Sequence, residues 1–204
     1  MIYLTKVKLA GITNLSDARY AAASGIDYLG FCFDTQKKNY IAPIKAKEMI
    51  DWINGCEIVA EFGEQSLEEI QTISDLLKVD LIELENQILP NELNQFNKPI
   101  IKKIDLAKFD LELLEIELES YKSFVKIFHL YSSESIKTAD KKKLISFCDQ
   151  YKIILGFELR PDNIISTIHS FNPYAINLLG KDEEKIGYKD FDEMNELLEL
   201  IMLS

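Results

Sequence analysis

Short apolar runs recur along the chain, and each is followed by a stretch whose apolar residues return at helical spacing. The runs fall at residues 7–12, 28–33, 57–62, 81–85, 99–104, 124–131, 153–159 and 174–179. Start and stop signals frame the stretches between them. Asn14 is a good N-cap for the first helix, Ala21-Ala22-Ala23 lets it sit close to a sheet, and Gly25 ends it as a C-cap. Pro43 begins the second, and Ser66-Leu67-Glu68-Glu69 opens the third as a capping box. Only a short helix, near 90–96, follows the fourth run, whereas 109–121 alternates Leu and Ile with Glu as an amphipathic helix does. Helices over 140–151, 162–171 and 190–203 complete the series.

A βα order repeated eight times predicts parallel strands with helices packed outside, closed into a (β/α)8 TIM barrel. An open doubly wound sheet shares that alternation, but no GxGxxG follows the first run, so a dinucleotide site has little support. No linker or low-complexity tract interrupts the chain, and residues 1–204 read as a single barrel domain. In such a barrel the chemistry belongs to the C-terminal ends of the strands.

Composition narrows the function classes. At 204 residues the chain is short for one barrel and leaves no room for a second domain, while 47% hydrophobic residues suffice for a large core. A net charge of −11 disfavours nucleic acid and anionic membrane as partners. Cys32, Cys56 and Cys148 are odd in number, far apart and without metal-ligand spacing, which suits a reduced, cytoplasmic protein with no metal. No run reaches membrane length, and the first residues carry no long apolar segment. No cofactor is expected. Monomer and homodimer both remain open.

The first run carries more than fold information. Lys8-Leu9-Ala10-Gly11-Ile12-Thr13-Asn14-Leu15-Ser16-Asp17-Ala18 closely resembles the opening of the phosphoribosylanthranilate isomerase family, whose pattern there is Lys-Ile-Cys-Gly-Ile-Thr-Asn. The resemblance continues through Ala22 to Phe31, at Tyr40-Ile41-Ala42-Pro43, at Arg160-Pro161-Asp162-Asn163-Ile164 and at Gly187-Tyr188-Lys189-Asp190, and is thin between Asn86 and Tyr151. It implies a (β/α)8 barrel of tryptophan biosynthesis that converts an N-phosphoribosyl aminoaldose to an aminoketose. That rearrangement needs an acid to open the ribose ring and a base to take the C2 proton.

Several positions depart from the family pattern. The cysteine base corresponds to Ala10, and the aspartate acid that ends the sixth strand aligns with His129. Asn39 stands for the arginine expected to hold the anthranilate carboxylate, and Glu85 for the histidine ending the fourth strand. The glycine-rich loop expected after the acid reads Tyr131-Ser132-Ser133-Glu134-Ser135. The two glycines expected after the seventh strand are Gly156-Phe157, with a large ring where backbone amides would meet phosphate, and the eighth strand ends Asn177-Leu178-Leu179-Gly180-Lys181. Of the ligand-facing set Lys8, Gly156 and Gly180 persist, and Lys181 is placed to meet an anion such as the phosphate of a small molecule at the barrel mouth.

Loss of base, acid, anchor and phosphate glycines together points to a barrel that no longer runs the standard rearrangement, as a pseudoenzyme or on a changed ligand. The alternatives are an active isomerase with His129 and Glu85 as substitutes, and a partner-binding protein using its outer helices with the mouth closed by Phe157 and Leu179. His129 is read first as a hydrogen-bonded rim residue and second as an acid or base. Glu83 and Glu85 share one strand face; if it is the interior they meet Lys8, Lys102 or Lys126, more readily as an ion-pair plug than as a catalytic site. Cys32, between two phenylalanines, reads as core, and Lys141-Lys142-Lys143 as a solvated helix face.

Overall fold

The computed structural model describes residues 1–132, 138–180 and 192–203. Its strands are β1 (Lys6–Ala10), β2 (Tyr28–Cys32), β3 (Glu57–Phe62), β4 (Leu81–Leu84), β5 (Ile100–Asp105), β6 (Ile127–Tyr131), β7 (Ile153–Gly156) and β8 (Ala175–Leu179). All pair in parallel in chain order, and β8 returns to β1 in a register running from Lys6↔Ala175 to Ala10↔Leu179. That last pairing excludes the open sheet. The barrel is closed.

The helices are α1 (Leu15–Ala23), α2 (Pro43–Ile50), α3 (Leu67–Leu77), α4 (Leu111–Tyr121), α5 (Thr138–Gln150), α6 (Ile164–Phe171) and α7 (Asp192–Ile201). After β4 a 3₁₀ stretch, Pro90–Gln95, replaces the helix, as the short apolar pattern there suggested. The caps lie where the side chains can make them. Asn14 accepts from the Asp17 N–H, and Ser66 and Glu69 form the reciprocal box. Gly25 has φ +73°, a conformation costly for any other residue. β6 and β7 are shorter than their apolar runs. Phe124 and Val125 bond back to Tyr121 and finish the α4 turn, while Phe157 and Leu159 leave β7 to pack among the helices.

Strand alternation sorts the side chains into two sets. Those facing outward, such as Leu9, Phe31, Ile82, Leu130 and Ile176, form one large core with the helices. Those facing inward at the N-terminal end (Tyr28, Val59, Leu81, Ile101, Ile127, Ile154 and Ala175) form a separate apolar plug. One step further the inward positions change character: six strands present Lys8, Glu61, Glu83, Lys103, His129 and Asn177, and β2 and β7 present Gly30 and Gly156. An apolar floor thus carries a charged layer, and the mouth opens above it.

Because the floor is closed by side chains on every side, Ile154→Ala is expected to leave an unfilled cavity and lower unfolding free energy by about 2–5 kcal/mol, measured by urea denaturation. A loss below about 1 kcal/mol would mean that the interior relaxes around it.

Candidate functional site

At the C-terminal end of the barrel lies a cavity of ≈ 170 Å³ whose lining includes Lys8, Ala10, Cys32, Asp34, Lys37, Asn39, Glu61, Glu83, Glu85, Lys103, His129, Tyr131, Gly156, Asn177 and Leu179. Its centre is Lys8, which is 0% exposed. The ammonium lies 2.5 Å from Glu61 Oε1 and 2.8 Å from Glu83 Oε2. Burial alone would lower the Lys8 pKa, but Glu61 and then Glu83 outweigh it and hold the ammonium protonated. Burial likewise works against Glu83 ionisation; Lys8 and then His129 overcome it and keep that carboxyl well below the usual range.

His129 completes the chain of contacts. Its Nδ1 is 3.1 Å from Glu83 Oε2. A carboxylate only accepts, so the imidazole proton sits on Nδ1 and Nε2 is left as an acceptor. Burial pushes the His129 pKa below its ordinary value, with Glu83 opposing and Lys8 and Lys103 assisting. The ring is therefore neutral near pH 7. Gly156 makes room for it, since a Cβ there would stand 2.5 Å from His129 Nε2. Gly30 does the same for the Glu61 carboxylate.

A second group sits nearer the rim. Glu85 is reached by Lys103 at 3.1 Å, Lys37 at 3.4 Å and the Tyr131 hydroxyl at 2.7 Å. Burial raises its pKa, yet Lys103, the Tyr131 hydrogen bond and Lys37 bring it down to about 2. Cys32 faces this cavity as well, which corrects its reading as core packing: positions 28, 30 and 32 share the inward phase of β2. Burial first, and Glu61 next, push its thiol up to about 11, so it is no thiolate.

Other expectations change for the same reason of phase. Of the three lysines expected to meet Glu83 and Glu85 inside the barrel, Lys8 does so, at Glu83, while Glu85 is met by Lys103 instead of Lys102 or Lys126. Lys102 faces outward, donates to the Asn86 carbonyl at 2.6 Å and lies 5.1 Å over the Tyr121 ring. Lys126 lies just ahead of β6, 3.9 Å from Glu57 at the opposite end of the barrel. Phe157 does not cover the mouth; its ring stacks edge-on against Phe171 of α6 at 5.7 Å. Leu179 is 67% exposed on the rim, so the two do not seal the cavity. The Gly180 N–H donates to the Ala10 carbonyl at 3.0 Å and is thereby taken up in the sheet. Lys181, the residues 133–135 and the motif at 187–190 lie outside the described residues.

Glu61, Lys103, Asp34 and Lys37 escaped the sequence reading. Glu61 carried a usable signal, standing two residues after Val59 in the phase that enters the barrel. Among the described residues no group of three or more His, Cys, Asp or Glu is arranged to hold a metal ion, and no helix is long and apolar enough to cross a membrane.

Residues 7–200 match the model of the N-(5'-phosphoribosyl)anthranilate (PRA) isomerase family. The chain belongs to that family. It is 28% identical over 200 residues to the N-(5'-phosphoribosyl)anthranilate isomerase of Citrifermentans bemidjiense, covering 96% of each chain. The phosphoribosyl anthranilate isomerase structure from Thermotoga maritima superposes with a TM-score of 0.83 at 26% identity, over 97% of this chain and 98% of that one. A second solved phosphoribosyl anthranilate isomerase, TM-score 0.81 at 25% identity and covering 97% and 98%, is in complex with reduced 1-(o-carboxyphenylamino)-1-deoxyribulose 5-phosphate.

Lys8→Met is expected to leave Glu61 and Glu83 buried without their cation and to cost about 3–5 kcal/mol, whereas adding Glu61→Gln and Glu83→Gln recovers most of the loss. Equal instability of the single and triple variants would refute the ion-pair account. Acidification supplies an independent check. His129 and Glu83 both have folded pKa values below their ordinary 6.5 and 4.5, so the unfolded chain binds more protons in each case. Stability is fully present above pH 6.5, falls below it as the unfolded imidazole protonates, and falls again below 4.5. His129→Gln is expected to remove the first decline in urea midpoints between pH 6.5 and 5. An unchanged slope would place the titration elsewhere.

Proposed function

We propose that this member of the PRA isomerase family does not carry out the Amadori rearrangement and holds a different small ligand at the barrel mouth. One observation carries the reading: the cation at the heart of the mouth, Lys8, is neutralised by two carboxylates of the protein itself, beside the unreactive methyl of Ala10. The ancestral substrate brings a phosphate and an anthranilate carboxylate. It would meet a cavity in which Lys8, Lys37 and Lys103 are opposed by Asp34, Glu61, Glu83 and Glu85. Opposite charges inside a partly buried site leave little attraction for a further anion.

Proton transfer meets a parallel difficulty. Ring opening calls for an acid, and neither substitute provides one near neutral pH: His129 is neutral, with an acceptor at Nε2, and Glu85 is ionised, with a pKa of about 2. Two bases without an acid support half of the reaction. Loss of a general acid or base commonly costs about 10²–10⁴-fold, and here the thiol base is gone too. A phosphorylated ligand would need its anion held at the β7 and β8 ends, where Gly156 is occupied with His129 and the Gly180 amide with Ala10. Lys181 is the candidate that this arrangement leaves for that part.

Steady-state assay of the purified chain with N-(5'-phosphoribosyl)anthranilate decides the matter. The expected outcome is consumption no faster than the uncatalysed background, for both the parent chain and His129→Ala. Turnover that His129→Ala abolishes would overturn the proposal in favour of an isomerase with substituted residues.

A further inference from the structure

Among the described residues, every lysine lining the mouth cavity already faces a carboxylate: Lys8 lies between Glu61 and Glu83, while Lys37 and Lys103 meet at Glu85. The fully buried side-chain polar atoms left over among the described residues of its wall are of one kind. Glu83 Oε1, His129 Nε2 and Asn177 Oδ1 are buried and have no hydrogen-bond partner among the described residues. Their residues are 1%, 1% and 8% exposed, and all three line the cavity. Each is an acceptor, the imidazole because Glu83 fixes its proton on Nδ1. Buried polar atoms without partners are costly, and several on one cavity wall point to what the cavity takes in.

A phosphate or carboxylate group brings more acceptors and more negative charge, so it completes none of the three. Water donates to them but leaves the excess of carboxylates over lysines uncompensated. A ligand that donates and is cationic answers both demands. We propose that the mouth cavity is a binding site for a small hydroxylated primary amine in its ammonium form, of the amino-sugar or amino-polyol class, with Glu83, His129 and Asn177 as its acceptors. This deepens the changed-ligand reading above and rests on it.

Calorimetric titration at pH 7 with D-glucosamine and with 2-amino-1,3-propanediol, against D-glucose, glycerol and inorganic phosphate, tests the proposal. Each amine is expected to bind at least about tenfold more tightly than its uncharged counterpart, as a charge-assisted hydrogen bond is worth, and phosphate is expected to give no heat of binding. Glu83→Gln and Asn177→Leu are expected to weaken amine binding about tenfold each. In the unmodified chain, the His129 imidazole nitrogen signals should move on adding amine and stay put on adding phosphate, a readout independent of whether the variants fold. Absence of binding by both amines, equal affinity for amine and uncharged partner, or tighter binding of phosphate would each overturn it. The two proposals fail separately: turnover of N-(5'-phosphoribosyl)anthranilate sinks the loss of chemistry, whereas an amine-blind cavity with no turnover sinks only this one.

Discussion

A lysine ammonium shut away from water inside the barrel sets the terms for everything around it. An isolated charge in such a place would cost several kcal/mol, and it persists only because two carboxylates stand against it. Lys8 therefore demands Glu61 and Glu83, and Glu83 in turn demands that the neighbouring imidazole present a proton at Nδ1. The neutrality of His129 follows from this chain, because a third cation beside Lys8 and Lys103 in a buried site would undo the balance. The glycines follow too. Gly30 and Gly156 are inward positions whose missing side chains leave space for the heads of Glu61 and His129. The persistence of Gly156 thus has a packing reason that owes nothing to phosphate.

The same constraint separates scaffold from chemistry. The floor of apolar side chains beneath the charged layer, together with the strand–helix core outside, is complete without any residue of the mouth. Ala10 and Asn39 belong to neither apolar cluster, so the residues at those positions can vary with the fold intact. Family membership consequently speaks for the architecture, and the side chains at the strand ends speak for the ligand.

Legibility in the sequence divides along the same line. The closed barrel could be read because each run of β-forming residues and each cap is a local signal: Asn14, Pro43 and the Ser66–Glu69 box all act within a turn of where they stand. The phase of a strand was harder. In Ile100-Ile101-Lys102-Lys103 nothing alternates, and the choice of which lysine enters the barrel is settled by register against Glu83 and His129. Cys32 was misplaced for the same reason, flanked by phenylalanines that face the other way. Phe157 lay one residue past the end of its strand, where alternation no longer governs direction. The network itself joins residues 8, 61, 83 and 129, whose separations exceed any local rule; only closure of the sheet brings them together.

A buried layer that was only a structural plug would be expected to satisfy its own polar atoms, since each one left over costs about 1–3 kcal/mol. This layer pairs its ammonium groups and leaves buried acceptors on the cavity side. That asymmetry is the difference between an interior that merely tolerates charge and one arranged to receive something. An occupant that supplied the missing donors would bind the folded chain and not the unfolded one, and so would add to the stability of the very layer that holds it. The interactions that fill the mouth are in this sense the ones that define what it can hold.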